Sequence, residues 1–150
     1  MKKAFLLIAS SVILFSCNDA TETTNTTTDD AEHVHHVENQ TGSLELNNGE
    51  KWIVNEEMKP HVLKGEEVVK EYILREKDDY KALATDLKDF NNAVIESCTM
   101  EGKSHEELHK WLHPHIELVL SLEIADDQDK AQELISELNK SYETYHQYFQ

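Results

Sequence analysis

The chain is poor in nearly everything that builds an irregular or cross-linked protein. Two cysteines, four glycines and two prolines in 150 residues exclude a disulfide scaffold, a collagen-like chain and an extended low-complexity protein. Basic residues are also scarce, with 14 Lys and Arg against 30 Asp and Glu and a formal charge of −16. That balance leaves no basic face for nucleic acid and no nonspecific attraction to anionic lipid. No hydrophobic run spans a bilayer, since the longest, Ala4 to Phe15, covers 12 residues where a membrane helix needs about 20. What is present is 39 % hydrophobic residues, many at helical spacing, enough for one modest helical domain with a tail.

The first residues carry the most specific local pattern. Lys2 and Lys3 precede the short apolar stretch, which reads as a signal peptide over residues 1–16. It ends in Leu14, Phe15, Ser16 and Cys17. This string resembles the lipobox of bacterial lipoproteins, with Leu at −3, a small residue at −1 and Cys at +1. The resemblance implies cleavage before Cys17, acylation (palmitate included) of its thiol and amine, and a domain held on a bacterial membrane facing the periplasm or the cell surface. Several acyl chains bury enough methylenes for a stable anchor.

Residues 17–43 follow as a Thr-rich, acidic run, TETTNTTTDD, with few apolar side chains. It cannot bury enough surface to offset its ordering entropy and reads as a disordered tether. Within it, His33, His35 and His36 lie beside Glu32 and Glu38, a composition able to capture divalent metal.

The remainder, 44–150, reads as four amphipathic helices. The first, from about Asn55 to Glu76, carries Met58, Val62, Val69, Tyr72 and Ile73 on one stripe. Pro60 falls either in its first turns or at its true start. The second, from about Asp79 to Ser97, carries Leu83, Leu87, Phe90 and Val94. The third opens on Ser104 and Glu107, spaced as a capping box, and runs through Leu108, Leu112, Ile116, Val119 and Leu120, with Pro114 expected to kink it. The fourth, from about Asp127 to Phe149, carries Ala131, Leu134, Ile135, Leu138, Tyr142, Tyr145 and Phe149. Short gaps between helices of similar length force antiparallel neighbours, so the expected fold is an all-α, up-down-up-down four-helix bundle. The lead-in from Leu44 to Val54 is expected to cover one end of the core with Trp52 and Ile53.

In that arrangement the start of the first helix, the end of the second, the start of the third and the end of the fourth share one end. Met58, His61, Cys98, Met100, His105, His109 and His146 all fall there. At about 100° per residue His105 lies within the Leu108, Leu112, Ile116 stripe and His109 about 40° from it, so both are expected to face inward or nearly so. With Cys17 lipidated, Cys98 has no partner for an intramolecular disulfide. Cys98, Met100, His105 and His109 then offer a thiolate, a thioether and two imidazoles, donors suited to copper or zinc, with His61 and His146 as possible further ligands. A buried thiol, a gap-filling Met and surface histidines would account for the same residues without metal.

The CxM and HxxLH strings at Cys98, Met100, His105 and His109, with the lead-in Asn47-Asn-Gly-Glu-Lys-Trp52, resemble small uncharacterised bacterial four-helix lipoproteins, which imply no activity. Asn55-Glu-Glu-Met58 together with Lys140 to Phe149 is similar to the small four-helix periplasmic b-type cytochromes. That similarity implies Met58 and His146 as axial ligands of haem b.

Catalytic patterns are weaker. His105-Glu-Glu-Leu-His109 matches H-E-x-x-H, yet four helices provide no sheet edge for a peptide substrate. Glu106-x-x-His109 and Glu143-x-x-His146 match di-iron spacing, but Glu57, Glu66 and Glu96 are poor candidates for the remaining inward carboxylates. Cys98 with His105 lacks an orienting acid for nucleophilic chemistry. The sequence therefore points to a lipid-anchored, non-catalytic domain that binds copper or zinc as carrier, buffer or sensor. The alternatives are a b-type haem electron-transfer protein and an acidic interaction module docking a basic protein partner.

Overall fold

The structure is a computed structural model describing residues 42–150. The signal segment, Cys17 and the histidines of the tether lie outside the described residues. The domain is an all-α up-down-up-down bundle of four helices: α1 Lys59–Leu74, α2 Tyr80–Ser97, α3 Gly102–Glu123 and α4 Gln128–Tyr148. Each helix packs on its chain neighbours, and α1 meets α4 to close the ring. No helix among the described residues is long and apolar enough to cross a membrane.

Local chemistry sets the helix ends. Asp79 accepts from the Ala82 N–H at 3.0 Å, and Asp127 from the Lys130 N–H at 2.8 Å, so α2 and α4 begin on carboxylate caps. α1 starts at Lys59, with Pro60 in its opening positions, the later of the two expected starts, rather than at Asn55. The Asn55 side chain is occupied elsewhere, donating to the Ser97 carbonyl at 2.9 Å and accepting from the Thr99 N–H at 3.3 Å, which stitches it to the end of α2. At the other end of α1, Glu76 adopts a left-handed φ of 48°. Its N–H reaches the Ile73 carbonyl and that of Lys77 the Tyr72 carbonyl, the paired bonds of a Schellman stop. The expected capping box at Ser104 and Glu107 is not formed. α3 starts before it, and the Ser104 hydroxyl instead donates to the Glu101 carbonyl at 3.1 Å. α3 runs unbroken through Pro114.

The lead-in turns tightly at Asn48 and Gly49, both at positive φ, with Asn47 and Glu50 exchanging backbone hydrogen bonds. It then pairs with the C-terminus, Trp52 N–H donating to the Tyr148 carbonyl at 2.7 Å and Gln150 N–H to the Trp52 carbonyl at 2.9 Å. Trp52 and Val54 are buried here, whereas Ile53 is 72 % exposed. Side chains alternate along an extended segment, so the expected inward pair Trp52 and Ile53 is corrected to Trp52 and Val54.

The core is built from the helical stripes, including Met58 at the N-cap of α1 with Val62 and Val69 on it, Leu83, Leu87 and Val94 on α2, Leu108 and Leu112 on α3, and Leu138 and Tyr142 on α4. Three expected members are not in it. Phe90 is only half-buried, and Asn91 takes the inward position on α2 instead. Ile73 is 48 % exposed and lines an open groove of about 720 Å³ between α1 and α4. Leu120 is 44 % exposed beside a smaller groove between α2 and α3. Nearer the middle of the bundle, Gly65 permits close approach of α1 and α4, since a Cβ there would collide with the Tyr142 hydroxyl. Leu87 and Leu112 are both buried. Leu87→Ala and Leu112→Ala should each lower the unfolding free energy by about 2–5 kcal/mol in denaturant titrations, and surface-like tolerance at both would contradict this packing.

Candidate functional site

The first three turns of α3 present a ladder of imidazoles. His105, His109 and His113 follow at i, i+4 and i+8, with ring centroids 4.3 Å apart between the first two and 4.8 Å between the second two. All three are half-buried. The face of α3 that enters the core is centred on Leu108, Trp111, His115 and Val119. Taking about 100° per residue, His105 and His109 lie about 80° and 120° around the helix from His115. Both stand on the flank of that face rather than at its centre, in contact with one another.

The other residues singled out from the sequence are placed differently. Cys98, the C-cap of α2, and Met100 in the following turn both pack against the hydrophobic core. Met58 is wholly enclosed in that core, and His61 is half-buried on α1. His146 stands on the outer side, 44 % exposed, with its Nε2 at 2.9 Å from Glu66 Oε2. Met58 and His146 thus occupy different surroundings, one apolar and closed, the other at the surface beside a carboxylate. Glu66 is also held by Lys70 at 2.6 Å. Its burial pushes the carboxyl pKa up, but the hydrogen bonds and charges of Lys70 and His146 outweigh this and leave it below the ordinary value. Among the described residues, no three of His, Cys, Asp and Glu converge as a metal-binding group. Glu106 and Glu143 are exposed, so neither supplies an inward carboxylate of the di-iron kind.

Two polar features that sequence reasoning missed lie on the row Glu107, Trp111, His115. Glu107 is 1 % exposed. It accepts from Lys110 Nζ at 2.7 Å and from the Glu45 N–H at 2.9 Å. Burial raises its pKa, while the Lys110 hydrogen bond, the Glu45 N–H and the nearby lysine charges bring it below the usual carboxylate value. Lys110 reaches on to the Ser43 carbonyl at 3.3 Å, and the Trp52 indole donates to the Glu45 carbonyl at 2.7 Å. The buried ion pair therefore clasps the lead-in onto α3.

His115 is completely buried. Its ring stacks on Trp111 at 5.0 Å and meets Tyr142 edge-on at 4.7 Å. Nδ1 shares a hydrogen bond with Ser141 Oγ at 2.9 Å, and Nε2 has no partner among the described residues. Burial lowers its pKa to about 4, so it is a neutral imidazole at physiological pH. The i, i+4 spacing of Glu107, Trp111 and His115 was the available signal.

Compared with known protein families, curated proteins and solved structures, the chain matches none of them.

Proposed function

We propose that the chain is a lipid-anchored, non-catalytic domain of a bacterial envelope that binds copper or zinc as a carrier, buffer or sensor, through the histidine face of α3. The observation that carries this reading is the contact between successive imidazoles in the His105, His109, His113 ladder. Histidines at i and i+4 chelate one ion from a single helix face, and neutral imidazole suits copper and zinc. The three residues are half-buried, and the helix fixes their spacing. Cys98 and Met100, turned against the core, join the ion only if the turn between α2 and α3 swings outward. The lipobox resemblance at Cys17 supports the anchored location.

The test uses the full chain carrying Cys17→Ser, which keeps it unacylated on this reading, and His33, His35 and His36 changed to Asn, which removes the competing imidazoles. Zn(II) or Cu(II) should bind about stoichiometrically and raise the melting temperature. At a free metal concentration 100-fold above Kd the stabilisation is about 2.7 kcal/mol. His109→Ala should remove most of it, and Cys98→Ser little. Equal melting temperatures with and without either metal would refute the metal-binding reading.

A further inference from the structure

We infer that the open groove between α1 and α4 is a second binding site and that its ligand is an amino sugar, a polyhydroxylated molecule carrying free amines. The site is separate from the histidine face of α3 and does not depend on metal binding. α1 and α4 approach closely at Gly65 and Tyr142. Towards the C-terminal end of α1 and the start of α4 they leave a groove of about 720 Å³, within the range of about 300–1,000 Å³ typical of small-molecule sites. The lead-in is clasped to the first half of α3 through Lys110 and Ser43, at the other end of the bundle, so it leaves the groove clear.

The lining sorts into three chemistries. Its floor is apolar, with Ile135 and the ring of Tyr72 buried and Ile73 half exposed. Tyr72 is 5 % exposed, its hydroxyl accepts from Gln128 Nε2 at 3.3 Å, and its hydroxyl proton meets no acceptor among the described residues. One wall is neutral and polar, since Gln128, Gln132 and Ser136 follow at i, i+4 and i+8 along α4, a row about 12 Å long. Gln132 and Ser136 make no side-chain hydrogen bond among the described residues. At one end stand Glu76 and Asp78, from the connection between α1 and α2. Neither carboxylate has an ion pair or hydrogen bond among the described residues, whereas Lys77 beside them is drawn to Glu71 at 4.0 Å.

Those features select the ligand. A pyranose ring offers an apolar C–H face to the tyrosine and isoleucine floor, and its hydroxyls both donate and accept, which suits side-chain amides and the Tyr72 hydroxyl. An ammonium on the same ring meets Glu76 or Asp78 through a charge-assisted hydrogen bond. A linear polyamine needs carboxylates along its length, and here the wall is uncharged. An acidic glycan meets a chain of −16 whose groove lysine is already engaged.

The experiment titrates the full chain carrying Cys17→Ser, by calorimetry at low ionic strength and mildly acidic pH, with three probes. These are a glucosamine trisaccharide with free amines, its N-acetylated counterpart, and spermidine. The free-amine trisaccharide should bind most tightly and each of the others at least about tenfold more weakly, the N-acetylated form for want of the charge-assisted hydrogen bond and spermidine for want of the hydroxyls. Glu76→Gln combined with Asp78→Asn should bring the free-amine probe down towards the N-acetylated one. Ser136→Trp, at an exposed position on the groove wall, should abolish its binding with little change in melting temperature. Equal binding of spermidine overturns the inference, since attraction to an acidic surface then suffices, and so does equal binding of the N-acetylated form. Binding that survives Ser136→Trp overturns it by placing the ligand elsewhere, and no binding of the free-amine trisaccharide overturns it outright. The zinc and copper titration above is unaffected by any of these results, so the two readings fail separately.

Discussion

Lowering the pH from 7 to 4 should cost the domain about 3 kcal/mol through His115 alone. The imidazole is completely enclosed between Trp111, Tyr142 and Ser141, and burial depresses its pKa from 6.5 to about 4. The unfolded chain therefore binds this proton more readily than the folded one. The native state has its full stability above pH 6.5 and loses it as the pH falls towards 4, at about 1.4 kcal/mol per pH unit. The lowered carboxylates Glu66 and Glu107 act in the same direction, but below their unfolded value of 4.5. Between pH 6.5 and 5, above the carboxylate range, the His115 contribution stands clear of theirs. Urea unfolding across that interval should show a slope steeper by about 1.4 kcal/mol per pH unit in the native sequence than in His115→Phe, whatever the variant's stability at pH 7. A slope unchanged by the substitution would show that the ring is hydrated or partnered in solution and does not resist protonation.

The residues behind this expectation also mark how far the sequence could be read. The stripe of α4 is legible because Ala131, Leu134, Ile135, Leu138, Tyr142, Tyr145 and Phe149 keep an unbroken helical period and are all buried, and that of α2 holds at Leu83, Leu87 and Val94 but not at Phe90, where Asn91 turns inward. α3 was harder. Its inward face includes Glu107, Trp111 and His115, a charged residue and an imidazole that break the apolar pattern, and the apolar residues alone point the stripe towards Ile116 and Leu120 instead. That rotation is the reason His105 and His109 were expected further in than they stand. A second difficulty was non-local. Asn55 serves the end of α2 and Glu107 the lead-in at Glu45, and neither contact has a local signature. Ser104 and Glu107 have the spacing of a cap, yet burial against the lead-in took the carboxylate for another purpose. Exposed Ile53 and buried Val54 reversed places because alternation along a short extended segment turns on a single residue.

Lys110→Met should destabilise the domain by about 3 kcal/mol, more than most substitutions of a lysine. The change leaves the Glu107 carboxylate in place, 1 % exposed, with the Glu45 N–H as its remaining hydrogen bond of those described above. Breaking a buried pair from one side typically costs 3–5 kcal/mol. The low end applies because the Lys110 side chain is itself 16 % exposed and water can partly replace it. Without the lysine, burial of Glu107 is opposed by the Glu45 N–H and the Lys103 charge alone, so its folded pKa is less depressed than in the native chain. A less depressed carboxyl takes up its proton at higher pH and loses less stability on acidification than the native one. The deficit of Lys110→Met relative to the native chain should therefore shrink as the pH falls towards 4 and the buried carboxyl takes up its proton. Loss of the Lys110 contact to Ser43 and weakening of the Glu45 bond should also speed amide exchange along the lead-in at residues 43–52, with less effect on α2. Replacing both partners, Lys110→Met with Glu107→Leu, removes the stranded charge and should recover most of the lost stability, because an apolar pair of similar volume is often as stable as a buried ion pair. A double variant no more stable than Lys110→Met alone would show that the cost comes from packing of the lysine stem against Gly42 and the lead-in, and that the Glu107 charge is solvated after all.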